Sequence, residues 1–365
     1  MGIPRFLLFV ALALATCASH AAPATVVDID VRGVIGPATA EYVGRGLAHA
    51  ARERAELVVL RLDTPGGLDT SMRAIVRDIL ASTVPVVGYV APPGARAASA
   101  GTFILYACHV AAMAPGTNLG AASPVSIGFT PTPGSDGDKK GAPADVHERK
   151  AMQDAAAYIR SLAELRGRNA QWAAKAVTEA ASLSASEAKA QDVVELIAAD
   201  ESELLRQLDG RSVKIGNGER ALHVAGATIT PFAPDWHFRV LAIIADPTVA
   251  MILMLIGVYG LIFEFGHPGF VFPGVFGAVS LLLGLYALHL LPVNYAGLAL
   301  MAIGIGFMIA EVFVPAFGSL GLGGVAAFVI GALMLIDTDV PGFGIPRALI
   351  ALFALVTAAF VIVVV

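Results

Sequence analysis

The chain has 365 residues and a formal net charge of −5, and 56% of its residues are apolar while only 15% are charged. That balance excludes an ordinary soluble protein, in which about 25% of residues are charged. The sequence has no basic patch interleaved with aromatic residues, so we expect no nucleic-acid partner. Nearly all the charge lies between residues 28 and 220, and from about Val240 onward the chain is almost uncharged. This division predicts an N-terminal globular domain followed by a membrane domain.

The first 21 residues have the pattern of an export signal. Arg5 precedes the apolar run "FLLFVALALAT", and the small residues of "CASHAAPA" follow it. We predict a signal peptide over residues 1–21 with cleavage after Ala21. Two alternatives stay open: an uncleaved membrane anchor, and a lipoprotein site at Cys17. After cleavage Cys108 is the one cysteine left, so the fold has to form without an internal disulfide.

Strand-like and helix-like segments alternate through the first half of the chain. The runs "TVVDIDVR", "AELVVLRLD", "PVVGYVA" and "HVAAMAP" are typical of strands, and helical patterns separate them. The alternation predicts βα units and a largely parallel sheet. We assign residues 24–210 to this α/β domain and residues 211–237, which carry short polar strands, to a polar connector. Residues 124–147 are rich in Pro, Gly, Asp and Lys and predict a long loop over a binding groove.

The remaining chain is dominated by apolar stretches of membrane-spanning length, which needs about 20 residues. These stretches are 246–264, 269–291, 295–314, 319–336 and 346–365. We predict an all-α polytopic transmembrane domain over residues 238–365, with four to five helices. Lys and Arg are nearly absent from its loops, so the orientation rests on the signal peptide, which puts the α/β domain on the exported side of the cell membrane. The chain stops inside the apolar run "VIVVV", which suggests a truncated C-terminus.

The sequence gives no indication of a bound metal or cofactor. The histidines are scattered and lack the spacing of metal ligands, so we predict no metal site. A glycine fingerprint for phosphate binding, placed between a strand and a helix, is also missing from the sequence, and we predict no cofactor.

A serine nucleophile fits the sequence better. It needs a base and a pair of backbone N–H groups that hold an oxyanion. In "DTPGG", Gly66 and Gly67 follow a strand and let their N–H groups approach a ligand closely. Ser99 lies at a turn into a helix, so the N–H of Ala100 and the positive end of that helix lie beside it. These spacings make Ser99 the candidate nucleophile.

The base is harder to assign from the residues alone. Histidine is the usual base, but the sequence has no histidine between His109 and His147. We therefore considered a lysine, which serves as the base in Ser–Lys dyads. A lysine serves as a base only when burial or neighbouring charges lower its pKa. Lys150 begins an apolar-faced helix directly after the long loop and is the best candidate. The alternative, a solvated lysine at a helix start, stays open on this argument.

Four long motifs resemble the NfeD family, membrane-anchored relatives of the Clp-type serine proteases and of signal peptide peptidase A. They are "LRLDTPGG", "PPGARAASAGTFI", "AMAPGTNLGAASPV" and "KAMQDAAAYIRSLAELRGRN". The resemblance runs from about residue 25 to residue 200 and continues through "GLIFEFGHPGFVFPGVFGA" and "AEVFVPAFGSLGLGG". It implies a Clp/crotonase-like ββα spiral, with Ser99 as nucleophile and Lys150 as base. It implies an oxyanion hole from the N–H groups of Gly67 and Ala100, with Gly66 shaping the turn.

The same resemblance implies a function and a partner. Family members form dimers or larger rings and cleave apolar segments of stomatin/prohibitin-like membrane proteins. They usually end in a small OB-fold domain, which this sequence lacks after "VIVVV". We therefore predict a multi-pass serine endopeptidase of the inner membrane with a stomatin/prohibitin-like substrate. The alternative function is a non-catalytic scaffold that organises stomatin-like proteins, although a scaffold has no need to keep both Ser99 and Lys150. A crotonase-type acyl-CoA enzyme shares the fold but does not fit an export signal.

Overall fold

The computed structural model describes residues 24–124, 143–216, 218–266, 271–291, 293–313 and 318–335, with 348, 350–352 and 355. The predicted signal peptide, most of the predicted long loop and most of the fifth apolar stretch lie outside these described residues.

The first part of the chain is an α/β unit, as the alternating pattern predicted. In chain order its elements are β1 (Thr25–Arg32), α1 (Pro37–Arg52), β2 (Leu57–Asp63), α2 (Asp69–Leu80), β3 (Val86–Val90), β4 (Arg96–Ala98), α3 (Ala100–Ala107), β5 (Val110–Met113), β6 (Asn118–Gly120), α4 (Pro143–Arg166), α5 (Ala170–Thr178), β7 (Ser182–Ser184), α6 (Ala185–Ala190), β8 (Leu196–Ile197), α7 (Glu201–Leu208), β9 (Ser212–Ile215), β10 (Gly218–Ala221) and β11 (Thr228–Pro231).

A six-stranded sheet in the order β11-β1-β2-β3-β5-β8 forms the centre of this unit, and all its strand pairs are parallel. Parallel strands are covered on both faces, which is why every residue of β3 is buried and β2 is a nearly continuous apolar run. Helices α1 to α5 cover one face and α7 covers the other. A separate sheet, β4-β6-β7, lies beside the carboxyl edge of β2 through a bridge between Thr64 and Ala97.

Two boundaries differ from the sequence expectation. The predicted connector, 211–237, contributes β11, which pairs with β1 along Thr25–Asp28 and so belongs to the central sheet. The physical reason is that β1 would otherwise present an unpaired edge. Helix α4 begins at Pro143, inside the predicted loop 124–147, because proline is favoured in a first helical turn.

The C-terminal part is helical, as predicted. Its elements are α8 (Trp236–Ile244), α9 (Pro247–Gly266), α10 (Val271–Leu290), α11 (Tyr295–Phe313) and α12 (Ser319–Leu335). The last four coincide with the first four apolar stretches. Within the described residues, α10 alone is long and apolar enough to cross a bilayer, and α8 with α9 would make a second span if that bent pair is one unit.

Helices α9 to α12 form two hairpins that repeat the same glycine pattern. Gly257, Gly277 and Gly284 of the first hairpin recur at a constant offset as Gly304, Gly324 and Gly331 of the second. In each hairpin these glycines bring two helix backbones together; a β-carbon on Gly257 would lie 2.6 Å from that of Leu281, and one on Gly304 would lie 2.6 Å from the Gly324 carbonyl oxygen. Close backbone contact through small residues is typical of helix pairs in membranes.

Candidate active site

Ser99 occupies a strained turn between β4 and α3. Its backbone has φ 51° and ψ −116°, which is unusual for a residue with a side chain. The Ser99 N–H donates to the carbonyl of Gly120 at 3.0 Å, and its carbonyl accepts the N–H of Thr102 at 3.0 Å. Strain of this kind persists only where the surroundings hold it, and it is concentrated at functional sites. The predicted nucleophile therefore lies on a backbone that the fold constrains.

Thr102 supplies much of that constraint. Its side chain is fully buried, and its hydroxyl donates to the carbonyl of Ala97 at 2.8 Å and contacts Gly120 O and N at 3.2 Å. One threonine thereby joins the strand before Ser99 to the strand that accepts its N–H. The sequence analysis did not single out this residue, and its position three residues after Ser99 is the one signal that could have found it.

The "DTPGG" turn is held from two sides. The buried Thr64 hydroxyl contacts both Gly66 N, at 3.0 Å, and Gly66 O, at 3.1 Å. Ile35 N–H donates to Gly66 O at 2.8 Å, and Leu68 N–H donates to Ile35 O at 2.8 Å. Gly66 has φ 120°, and a β-carbon on Gly67 would overlap the backbone of Ile35. Both glycines are therefore required by geometry.

The structure brings four of the five predicted site residues together. A β-carbon on Gly66 would lie 2.6 Å from the Ser99 β-carbon and 3.1 Å from its Oγ. Gly67, Ser99 and Ala100 line one cavity of about 110 Å³. The other lining residues are Leu68, Asp69, Met72, Phe103, Ala122, Ser123, Pro124 and Ala155. The cavity beside the serine is thus largely apolar.

Two N–H groups beside Ser99 are available to a ligand. Gly67 N–H donates no hydrogen bond within the part of the chain that the structure describes. Ala100 is the first residue of α3, and the first N–H groups of a helix have no intrahelical acceptor. Backbone donors at a helix start suit a developing oxyanion.

Lys150 is the predicted site residue that the structure does not bring to Ser99. It lies in the first part of α4 with an exposed side chain, and it is not among the residues lining the cavity. Ala155, on the same helix, does line the cavity. Five residues correspond to about 7.5 Å along the helix axis, so Lys150 lies about that far from the cavity wall along α4.

A cluster that was not predicted from the sequence connects α4 to the helix that follows the "DTPGG" turn. Arg73 of α2 pairs with Asp69 at 2.9 Å and with Asp154 of α4 at 2.5 Å. Its guanidinium also lies 4.5 Å from the ring centroid of Tyr158. Asp154 is one helical turn after Lys150, so the two share a face of α4. Arg73 thereby sets the position of the helix that carries Lys150.

The C-terminus of the serine helix is fixed by a buried arginine. Arg168, with a side chain only 2% exposed, donates to the carbonyl oxygens of Leu105, Tyr106 and Cys108 at 2.9–3.1 Å. It also pairs with Glu195 at 2.7 Å. These carbonyls lie at the end of a wholly buried helix, where the last carbonyl groups run short of intrahelical donors. Arg168 therefore stabilises the end of α3 opposite Ser99.

Cys108 is not an alternative nucleophile. It is fully buried, and its thiol donates to the carbonyl of Ile104 at 3.2 Å. Burial raises the pKa of the Cys108 thiol to about 12, so the thiolate does not form near neutral pH. Among the described residues, no group of three or more His, Cys, Asp or Glu is placed to hold a metal ion.

The residue after the "DTPGG" turn also contacts the C-terminal helices. Leu68, which follows Gly67, is 3% exposed and belongs to an apolar cluster whose other buried members lie between residues 250 and 350. Ala250, Met251 and Met254 of α9 are among them. The cavity beside Ser99 is therefore built directly against the helical C-terminal part.

The fold and the site together define a class of protein: an α/β domain with a strained serine and a two-glycine turn, joined to an apolar helical domain. Residues 25–215 match the family model of the NfeD1b N-terminal domain, and residues 248–365 match that of the NfeD integral membrane domain. The chain belongs to the NfeD family and is a membrane protein, as the motifs predicted.

Two relatives and two solved structures are similar to it. Membrane-bound protease PH1510 of Pyrococcus horikoshii is 36% identical over 84% of this chain and 67% of its own length. Membrane protein NfeD1b of Bacillus subtilis is 29% identical over 83% of this chain and 66% of its own. The chain thus spans about two thirds of the length of either relative.

The solved structures are of 1510-N, a membrane-bound stomatin-specific protease. A lysine-to-alanine mutant in complex with a substrate peptide gives a TM-score of 0.53 at 34% identity, over 60% of this chain and 97% of that one. A serine-to-alanine mutant gives a TM-score of 0.52 at 36% identity, over 59% of this chain and 100% of that one. The α/β unit of this chain is thus similar in fold to that protease domain.

Proposed function

We propose that the chain is a membrane-tethered serine endopeptidase with Ser99 as nucleophile and Lys150 as base. The observation that carries the proposal is that Gly67, Ser99 and Ala100 line one apolar cavity, while Gly66 packs directly against Ser99. The chain is also similar to a stomatin-specific protease whose structure was solved as a serine-to-alanine mutant and as a lysine-to-alanine mutant. That similarity supports the same assignment.

We propose the following acylation step. Lys150 Nζ accepts the proton of Ser99 Oγ, and the oxygen attacks a peptide carbonyl carbon. The carbonyl electron pair moves onto oxygen, and the N–H groups of Gly67 and Ala100 hold that oxyanion. The C–N bond then breaks, Lys150 returns the proton to the leaving amine, and an ester to Ser99 remains. Water hydrolyses the ester and regenerates the Ser99 hydroxyl.

Lys150 has to approach Ser99 for this step. Catalytic hydrogen bonds often tighten only when substrate binds. Ala155 of α4 lines the cavity, so a peptide bound there would contact the helix that carries Lys150. We propose that substrate binding brings Lys150 under cover beside Ser99, where a lower polarity favours a neutral amine.

The cavity favours an apolar substrate. Leu68, Met72 and Phe103 provide its walls, and an apolar side chain next to the scissile bond would be buried there. The contact between Leu68 and the C-terminal helices supports a site near the membrane. We therefore propose apolar segments of stomatin/prohibitin-like membrane proteins as substrates.

The same proposal includes the domain organisation, the membrane topology and the oligomeric state. The α/β unit, with its second sheet β4-β6-β7 and with β11 from the predicted connector 211–237, is a Clp/crotonase-like ββα spiral that leads to the membrane domain of residues 238–365. The signal peptide over 1–21 is removed, the helices cross the inner membrane several times, and the site faces the exported side. The enzyme acts as a homodimer or larger homo-oligomer without a cofactor.

The test is peptide cleavage by the full chain in lipid vesicles. The peptides span the C-terminal region of a stomatin-like protein, and the products are identified by mass spectrometry. We expect cleavage by the parent and a loss of at least about 10³-fold for Ser99→Ala and Lys150→Ala. Ser161→Ala and Lys175→Ala, which change exposed residues on α4 and α5, are the matched controls and should cleave normally. A folded parent that cleaves no peptide would favour the scaffold function instead.

A further inference from the structure

Helix α8 joins the α/β unit to the membrane helices and presents an apolar stripe outward. Trp236, Val240 and Ile243 are 66%, 45% and 59% exposed. At 3.6 residues per turn, these three positions fall within an arc of about 60°. An exposed apolar stripe that includes a tryptophan is costly in water, so it indicates a surface that something covers.

The opposite side of α8 is fixed to the α/β unit. Phe238 packs on Tyr42 of α1 with ring centroids 5.1 Å apart. Asp235 caps the helix by accepting the Phe238 N–H at 3.0 Å and pairs with Arg45 of α1 at 2.5 Å. These contacts hold the helix in one rotation about its axis. The stripe therefore faces away from the α/β unit and points to an outside surface.

The direction of α8 indicates which surface that is. Helices α8 and α9 meet at an angle of 71°, and the membrane-domain match begins at residue 248, at the start of α9. Asp246 accepts the N–H groups of Thr248 and Val249 and so marks the start of α9. If α9 runs along the bilayer normal, a helix bent by this angle lies close to the membrane plane.

We infer that α8 is an interfacial helix that rests on the phospholipid bilayer, with Trp236, Val240 and Ile243 inserted at the boundary between headgroups and acyl chains. Tryptophan is enriched at that depth. Arg239 is exposed beside the stripe, where its long side chain can reach the phosphates while its stem stays in apolar surroundings. The inference does not depend on the proposed peptidase activity.

Depth-dependent quenching of Trp236 tests the inference on the full chain. The parent and Trp236→Phe are each reconstituted in phosphatidylcholine vesicles, and the difference between their spectra isolates Trp236, because the chain has two tryptophans. Acyl chains brominated near the glycerol end should quench this difference emission strongly, and chains brominated near the methyl end should quench it less. Aqueous acrylamide should quench it weakly.

Three outcomes would overturn the inference. Strong acrylamide quenching without bromine quenching would place the stripe in water. Protection from both quenchers would mean that protein covers it, either a second copy or a partner. Stronger quenching by the deep bromines would make α8 part of a span.

A pair of variants adds a second test with Trp236 retained. Val240→Asp should lower the bromine quenching and raise the acrylamide quenching, because a carboxylate at that depth pulls the helix toward water. Leu165→Asp is the matched control, since Leu165 is similarly exposed at 59% but lies on α4, and it should leave both quenching values unchanged. Equal effects of the two variants would also contradict the inference.

Discussion

Gly66 and Ser99 touch so closely that no side chain fits between them. A β-carbon added at Gly66 would lie 2.6 Å from the β-carbon of Ser99, and the Gly66 backbone has φ 120°. A residue 33 positions earlier in the chain thus limits where the nucleophile can lie. The two-glycine turn and the serine form one unit, and that relationship links the fold to the proposed chemistry.

Gly66→Ala should therefore damage activity more than stability. The clash displaces either Ser99 or the neighbouring Gly67 N–H, so we expect kcat to fall about 10²–10³-fold. The positive φ should cost about 1–3 kcal/mol of unfolding free energy. Gly210→Ala is the control, because Gly210 also has a positive φ, 75°, but nothing within 4 Å of its added β-carbon. Peptide cleavage and thermal unfolding are measured for both variants. An equal kcat in the two variants would show that the close contact between Gly66 and Ser99 does not matter for activity.

Arg73→Ala should weaken catalysis by releasing α4 from α2. Arg73 pairs with Asp154, one turn after Lys150, so its loss lets the base drift; we expect a fall in kcat of roughly 10-fold. Stability should change by less than about 1 kcal/mol, because the ion pairs are partly exposed.

Arg77→Ala is the control for this prediction, since Arg77 is on the same helix but, within the described residues, forms an ion pair only with its neighbour Asp78. The measurement is kcat as a function of pH. A loss of folded protein alone would lower kcat equally at every pH and leave the shape of the profile unchanged. If Arg73→Ala has the same kcat and the same pH profile as the parent, Arg73 does not position Lys150.

Leu68→Ala should reduce activity in the membrane. Leu68 follows the proposed oxyanion donor and is buried among residues of the membrane helices, so its truncation loosens the turn. We expect a loss of about 2–5 kcal/mol in stability together with a lower kcat. Leu204→Ala removes an equally buried leucine from the second core, away from the site, and should lower stability while kcat is retained. The same kcat in both variants would uncouple the membrane helices from the site.

His109 should make folding less favourable in acid. Burial, with added repulsion from Arg166 and Arg168, lowers the pKa of His109 to about 3. As the pH falls below the usual histidine pKa of about 6.5, the unfolded chain takes up a proton that the folded chain does not, so stability falls. Between pH 7 and pH 5 this loss should be at most about 2 kcal/mol.

His109→Asn tests that expectation, because the asparagine oxygen can accept the Val86 N–H that His109 Nδ1 now accepts at 3.1 Å. The variant should lose less stability than the parent between pH 7 and pH 5 in denaturant titrations. His223→Asn changes an exposed histidine and should behave like the parent. Parallel pH dependence in all three proteins would contradict the role of His109.

The sequence predicted the parts of this structure that local patterns encode. The apolar runs of β2 and β3, the "DTPGG" turn and the serine at a helix start each carry a local signal, and the structure has them where expected. The edge strand β11 has no comparable local signal for a place in the central sheet, because its sequence "TITP" is short and polar and ends in proline. Its assignment depends on the free edge of β1, which only the folded sheet reveals.

The support around the candidate site was equally hidden. Arg73 and Asp154 are 81 residues apart, and although Asp154 lies in the motif that begins at Lys150, no local pattern links it to Arg73. Their pairing is a product of the tertiary fold. Thr64 lies inside "DTPGG" but its role depends on a hydroxyl that contacts Gly66 twice. The contact between Leu68 and the membrane helices joins two domains that the sequence treats as separate.

The central claim is that Ser99 forms the acyl-enzyme, and the most direct test is to trap that ester. The full chain in vesicles is mixed with an activated ester of an apolar peptide, quenched in acid, digested and mapped by mass spectrometry. We predict that the peptidyl group is attached to Ser99 and that the Ser99→Ala variant carries no peptidyl group. A peptidyl group on another residue of the cavity, such as Ser123, or a folded parent that is never acylated, would contradict it.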